Sequence, residues 1–203
     1  RANAARAAAE RMRAVDAGRT WLAAHQDADG RWSPHAFHQH CGDATCRGAG
    51  HERYTAGVTG LALLALTSGG HGLDTGIHRL SVRRAVRLLM DIQAEDGFYE
   101  PTRVLSSSYD HLIATLALLS VRARAVEHGS LERWADLDPS LDAALAAILE
   151  LRNPGAAWRY RDPTSPQMLS NPNDTSVTSW AVQVLVAAHQ QGFALHEQHI
   201  SNS

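Results

Sequence analysis

Lysine is absent from this 203-residue sequence; all 19 basic residues are arginine. With the abundant alanine, that is the pattern expected from a GC-rich bacterial genome. Cysteine is almost absent too, and Cys41 and Cys46 alone cannot make the disulfide framework that staples small secreted domains. Aromatic residues reach only 6% and the formal net charge is −2, so the totals offer no electrostatic footing for nucleic acid or an anionic membrane. No apolar run approaches the roughly 20 residues that cross a bilayer as a helix. Residues Arg1 to Ala14 mix arginine with alanine and lack the continuous apolar stretch of a signal peptide.

What remains is an ordinary globular balance, 44% hydrophobic and 20% charged, in a chain long enough to bury a sizeable core. Its dominant feature is internal repetition. An amphipathic helix, a Gly-containing turn followed by an aromatic, a loop and an apolar helix recur three times. The turns are Gln26-Asp-Ala-Asp-Gly30-Arg-Trp32, Gln93-Ala-Glu-Asp-Gly97-Phe-Tyr99 and, more loosely, Arg152-Asn-Pro-Gly155-Ala-Ala-Trp158. The first two share Gln-x-x-Asp-Gly, which is more specific than a generic turn.

Val82, Val86, Leu89 and Ile92 recur at helical spacing ahead of the second turn, while Arg79, Arg83 and Arg87 line another face. This is an outer helix with one wet side. The segments after the turns, Val58–Leu66, Ile113–Leu119 and Val177–Val186, are apolar nearly all round, so they are expected to be buried on most sides. Thr55, Asp110 and Asp174 fall at matching positions before them and are suited to N-cap their own helices. No such unit covers its inner helix alone, so neighbouring hairpins must stack. The expectation is one all-α repeat domain over residues 1–203, with hairpins over about 4–68, 79–121 and 139–190.

The Gln26–Trp32 turn resembles the QW-type repeat of squalene–hopene and oxidosqualene cyclases, and the Gln93 turn is similar with Phe98 and Tyr99 as its aromatics. The stretches Gly57–Leu66 and Asn173–Trp180 are similar to the prenyltransferase and squalene-oxidase repeat family. The resemblance covers about Thr20 to Ala188. It implies an α/α toroid, of which three hairpins would form a partial ring. The chain would then be a fragment of a longer protein, or an open arc that self-associates through its end hairpins or meets a protein partner.

Cyclases of this kind begin catalysis with a protonated aspartic acid in an Asp-x-Asp-Asp-Thr motif. The nearest stretch here, Asn171-Pro-Asn-Asp174-Thr175, keeps only the last two residues, and Asn173 replaces the proton donor. Asp174 and Asp110 are the remaining acid candidates. Protein prenyltransferases hold zinc through Asp, Cys and His; Asp110 and His111 stand at an inner-helix start, without the matching Cys. A polyprenyl ligand would need an aromatic-lined apolar cavity, for which Tyr54, Tyr109, His111 and Trp180 are the candidates, with Trp21, Trp32, Trp158 and Tyr160 also available.

The other chemistry-bearing stretch is the loop from His38 through His40, Cys41 and Cys46 to His51. Imidazole and thiolate at short spacing suit zinc, with Cys41, Cys46, His51 and His40 or His38 as ligands. A Cys41–Cys46 disulfide and two unlinked thiols are the alternatives. Two functions fit: a non-catalytic domain binding an apolar ligand or a protein, and an enzyme acting on an isoprenoid or other apolar substrate.

Overall fold

The computed structural model describes residues 1–43, 45–48, 50–99, 107–153, 157–159 and 173–195. Six α-helices run in chain order: α1 (Ala2–Ala24), α2 (Thr55–Ser68), α3 (Arg79–Asp91), α4 (Ser107–Glu127), α5 (Leu137–Glu150) and α6 (Thr175–Gln190). Three short 3-10 turns lie between them, and no strand occurs among the described residues. The all-helical class expected from the periodicity is therefore found.

α2, α4 and α6 lie side by side and point the same way. The start of α2 meets the start of α4 where Gly57 touches Asp110, and their ends meet where the Ser120 hydroxyl donates to Thr67 Oγ1 at 3.1 Å. α4 and α6 repeat the arrangement, from Tyr109 against Ser176 at the start to Arg122 against Gln191 at the end. α4 is the middle of this layer, packed against both neighbours. Leu112, Ala114, Ala117, Leu118, Leu119 and Val121 are accordingly buried all round it.

α2 and α4 approach closely because glycine faces the contact. A Cβ on Gly57 would lie 2.2 Å from Asp110 Oδ1, and one on Gly60 would sit 3.0 Å from the Ala114 nitrogen. α6 departs from expectation. Only Val177, Ala181, Val184 and Ala188 are buried, one stripe at helical spacing, while Val182 and Val186 are about half exposed. The reason is positional: α4 covers one side of α6, and no helix follows α6 among the described residues.

α3 forms because its pattern is strongly amphipathic: Val82, Ala85, Val86 and Leu89 face the core and Arg79, Arg84 and Arg87 face water. The turns join the units through one recurring device. Gln26 donates from Nε2 to the Gly30 carbonyl at 2.8 Å and to the Ser81 carbonyl in α3 at 2.9 Å. Gln93 does the same to Gly97 and to Ser140 in α5, each at 2.9 Å. One amide thus closes its own turn and grips the outer helix of the next unit. Gly30 (φ 103°) and Gly97 (φ 85°) are required both by conformation and by space, since a Cβ would meet the Arg84 or Ala143 carbonyl oxygen at 2.4 and 2.3 Å.

The aromatics after the turns are also anchored alike. Trp32 donates from Nε1 to the Leu22 carbonyl at 2.7 Å, and Trp158 to the Ile148 carbonyl at 2.8 Å. Their backbone N–H groups donate to Thr59 Oγ1 and Thr178 Oγ1 at 3.1 and 3.0 Å. The looser third turn therefore shares the geometry of the first at its tryptophan, although Arg152 replaces the glutamine. Gly155 lies outside the described residues.

Candidate functional site

The helix starts distribute the acidic candidates in a way the repeat alignment does not anticipate. Asp174 does N-cap α6: its Oδ1 accepts from the Ser176 and Val177 backbone N–H groups, both at 2.9 Å, and from the Ser176 hydroxyl at 2.6 Å. The Ser176 hydroxyl bond and the two backbone N–H bonds hold its carboxyl below the ordinary value. An ionised cap is the opposite of a poised proton donor, which favours the capping role of Asp174 over the acid role. Asn171 lies outside the described residues.

Asp110 is not at the N-cap position of its own helix, which begins at Ser107. It sits in the first turn of α4, 4% exposed, and its Oδ1 accepts the Gly57 N–H at 2.9 Å, closing the open end of α2 instead. Thr55 is no cap either; its hydroxyl donates backwards to the Glu52 carbonyl at 2.6 Å. Burial pushes the Asp110 carboxyl up to about 6, against the pull of backbone hydrogen bonds, and Oδ2 has no partner among the described residues.

His111, the next residue, is buried and donates from Nε2 to the Ala144 carbonyl in α5 at 3.0 Å, with its ring 4.6 Å from Phe98 and 5.4 Å from Tyr99. Burial brings its pKa down to about 4, so the ring is neutral. It holds α4, α5 and the second turn together. Tyr99 is buried in the same cluster, its hydroxyl 3.3 Å from Ser140 Oγ.

An apolar cavity of about 370 Å³ lies elsewhere, between the end of α1, the segment after the first turn and the outer side of α2. Trp21, Leu22, Trp32, Phe37, Val58 and Leu61 form most of its wall. None of Tyr54, Tyr109, His111 or Trp180 lines it. Tyr54 is exposed beneath the Arg53 guanidinium, Tyr109 bonds the Ser176 hydroxyl, and Trp180 packs on the core. Those four positions share the helix-start and inner-helix register but point to different neighbours. Tyr160 lies outside the described residues.

His25, at the C-terminal end of α1, forms the polar corner of this cavity. The residue is 7% exposed and stacks on Trp21 with ring centroids 3.8 Å apart. Its Nδ1 lies 2.8 Å from the Trp21 carbonyl oxygen. A carbonyl only accepts, so Nδ1 carries the hydrogen and Nε2 of the neutral ring is the acceptor. Cys41 Sγ stands 3.3 Å from that Nε2, and Cys46 Sγ stands 3.0 Å from Cys41 Sγ. The loop is folded to produce this meeting: Asp43 Oδ1 accepts from the Thr45 N–H and hydroxyl at 2.8 and 2.7 Å, and the Cys46 N–H returns to the Asp43 carbonyl at 3.1 Å. The neighbouring Cys46 thiol, then burial and the Asp43 charge, push the Cys41 thiol above its ordinary value.

The expected zinc ligands do not come together as a set. Cys41 and Cys46 meet, but His40 turns its Nε2 onto Asp27 Oδ1 at 2.6 Å, and His51 turns Nδ1 to accept the Arg53 N–H at 3.2 Å as it caps a 3-10 turn. Among the described residues no group of three or more His, Cys, Asp or Glu side chains is arranged to hold a metal. Burial works to raise the Asp27 carboxyl, but hydrogen bonds from His40 and Ser33, with the charges of His40 and Arg31, outweigh it and hold it below its ordinary value. His40 is thereby part of the strap fastening the loop to the first turn.

The sequence reading overlooked His25. Its only signal is Trp21 four residues earlier, a spacing that stacks the two rings on one helix face. A second cavity, at the ends of α2 and α4, has mixed walls including Thr67, Ser68 and Arg124, whose guanidinium already donates to the Thr67 carbonyl at 2.8 Å. No described helix is long and apolar enough to cross a membrane. Comparison with protein-family models, with curated proteins and with solved structures finds no match.

Proposed function

We propose that the chain is a non-catalytic binding domain built as an arc of the α/α-toroid kind, resembling the repeats of terpene cyclases and prenyltransferases, and that it takes a small apolar ligand of isoprenoid character. The arrangement that supports the arc is the inner layer of parallel helices α2, α4 and α6, with each Gln-x-x-Asp-Gly turn gripping the next outer helix. The observation that carries the binding reading is the cavity walled by Trp21, Trp32, Phe37, Val58 and Leu61. Its volume, about 370 Å³, falls within the range of small-molecule sites, about 300–1,000 Å³, and its wall is almost wholly apolar. Burying a short branched hydrocarbon there would remove apolar surface from water on both partners.

Calorimetric titration of the protein with farnesol and geraniol tests this. Saturable binding is expected, with a negative heat-capacity change, and Leu61→Arg should abolish it by placing a charge on the wall. Absence of binding to the folded protein, or binding that Leu61→Arg leaves intact, would sink the reading.

An enzymatic reading rests on Asp110, a buried carboxyl pushed up to about 6 and hence available as an acid. It stands against the Gly57 backbone between α2 and α4 rather than on the apolar cavity, which favours the binding reading. Self-association or a protein partner at the end hairpins is the remaining possibility; Met12 and Val15 on α1 and Val182 and Val186 on α6 are apolar and about half exposed there.

A further inference from the structure

We infer that Cys41 and Cys46 form a redox-active thiol pair in which Cys41 is the attacking thiol, His25 its base and Cys46 the resolving thiol. Three observations from different parts of the chain converge on it. The two sulfurs are 3.0 Å apart, held there by the Asp43 turn. The His25 ring, fixed by the Trp21 carbonyl on one side and stacked on the Trp21 ring, offers its bare Nε2 to Cys41 and not to solvent. Both cysteines are partly exposed, so a small reagent can reach them, while the base behind them is buried. A nucleophile, a base in hydrogen-bond reach and a group orienting the base are the parts of an activated thiol. The charged neighbours include Asp43, which faces Cys41, Arg47, whose guanidinium donates to the Cys46 carbonyl at 3.1 Å, and His40, whose ring is 6.2 Å from His25 and is tied to Asp27.

The oxidant is a small-molecule disulfide. Cys41 passes its proton to His25 Nε2 as its sulfur attacks one sulfur of the reagent. The reagent's S–S bond breaks, a mixed disulfide forms on Cys41, and the departing thiolate takes the proton back from His25. Cys46 then attacks Cys41 Sγ, the bond from Cys41 to the reagent sulfur breaks, and the departing thiolate takes the Cys46 proton to leave as the second reagent thiol. Two protein thiols become one disulfide, and the two electrons leave with two reduced reagent molecules. Closure to a bond of about 2.05 Å requires the sulfurs to approach by only about 1 Å. Oxidation leaves neither sulfur with a hydrogen, so His25 Nε2 then faces a sulfur that cannot donate to it. The pair does not depend on the cavity holding an isoprenoid.

The test uses the full chain, purified without chelator and treated with oxidised glutathione, with adducts located by peptide mass spectrometry. The wild type is expected to form the intramolecular disulfide and to be restored by dithiothreitol. Cys46→Ser should stop at a glutathione adduct on Cys41. His25→Phe keeps a ring to stack on Trp21 and removes the base; in the Cys46→Ser background it should slow adduct formation by about ten-fold or more. His25→Asn serves as a second variant should the first fold poorly. Adducts on Cys46 in place of Cys41, a rate unchanged by both His25 variants, or stoichiometric zinc protecting both thiols from alkylation would each overturn the assignment.

Discussion

Asp110 and His111 leave the first turn of α4 toward different neighbours, the carboxylate to the Gly57 N–H of α2 and the imidazole to the Ala144 carbonyl of α5. Both are buried, and burial disfavours the charged form of each, moving their pKa values in opposite directions. Two adjacent residues therefore carry opposing proton linkages into one pH window.

The signs follow from which state binds more protons. Asp110 titrates at about 6 when folded against 3.8 unfolded, so the native state holds the extra proton and stability falls as pH rises between those values. His111 titrates at about 4 when folded against 6.5 unfolded, so the unfolded state holds it and stability rises as pH rises from 4 to 6.5. Each effect is on the order of 3 kcal/mol, and they oppose one another between pH 4 and 6. Urea unfolding across that range should show a rising difference curve for Asp110→Asn minus wild type and a falling one for His111→Gln minus wild type. Taking differences cancels the other carboxylates. Variants that run parallel to wild type would contradict both assignments.

The α2–α4 contact should be intolerant of added volume. Gly57→Ala places a Cβ 2.2 Å from Asp110 Oδ1 and breaks into the cross-helix cap, so a loss of about 2–3 kcal/mol is expected by chemical denaturation. Gly60→Ala, whose nearest atoms stand at 3.0 Å, should cost less, about 1 kcal/mol. The reverse order would mean that α2 and α4 pack differently.

Replacing a turn glutamine should loosen two units at once. Gln93→Ala removes donors to the Gly97 and Ser140 carbonyls and is expected to cost about 1–3 kcal/mol. Native-state hydrogen exchange should speed up both in the 94–99 turn and at the start of α5. Exchange confined to the turn would show that the inter-unit bond carries little.

Asp174→Ala should lower stability by about 1 kcal/mol through loss of the α6 cap, whereas Asp174→Asn, a good cap, should cost little. Because the folded carboxyl is held below its ordinary value, the wild-type advantage over Asp174→Ala is present at neutral pH and fades as pH falls through the acidic range. A large deficit for Asp174→Asn would point to a role for charge beyond capping.

The helices and their turns were legible because they are written locally. The Val82–Leu89 stripe, the Gln-x-x-Asp-Gly turns and the Asp174 cap each depend on residues within a few positions of one another. The same local logic misplaced Asp110: the alignment found its register, but the N–H group it closes belongs to a helix 53 residues away. α6 was expected to be buried on most sides because composition reports apolarity without reporting how many neighbours arrive. In the loop, the cysteine pair was visible as a pair, while the partner that completes it, His25, ends a helix 16 residues upstream of Cys41. His40 was drawn to the cysteines by proximity in sequence and to Asp27 by proximity in space.

The glutamine clamps have a direction. Each reaches forward, from the turn of one hairpin to the outer helix of the next, and none reaches back. Truncation should therefore be asymmetric. Cutting the chain before α5 would strip Gln93 of its distant acceptor and leave that amide facing water, while cutting it before α3 would leave the Gln93 clamp whole and strip the carbonyl of Ser81, a buried residue, of its Gln26 donor. Any cut between hairpins therefore strands a donor on the upstream piece and an unpaired carbonyl on the downstream one.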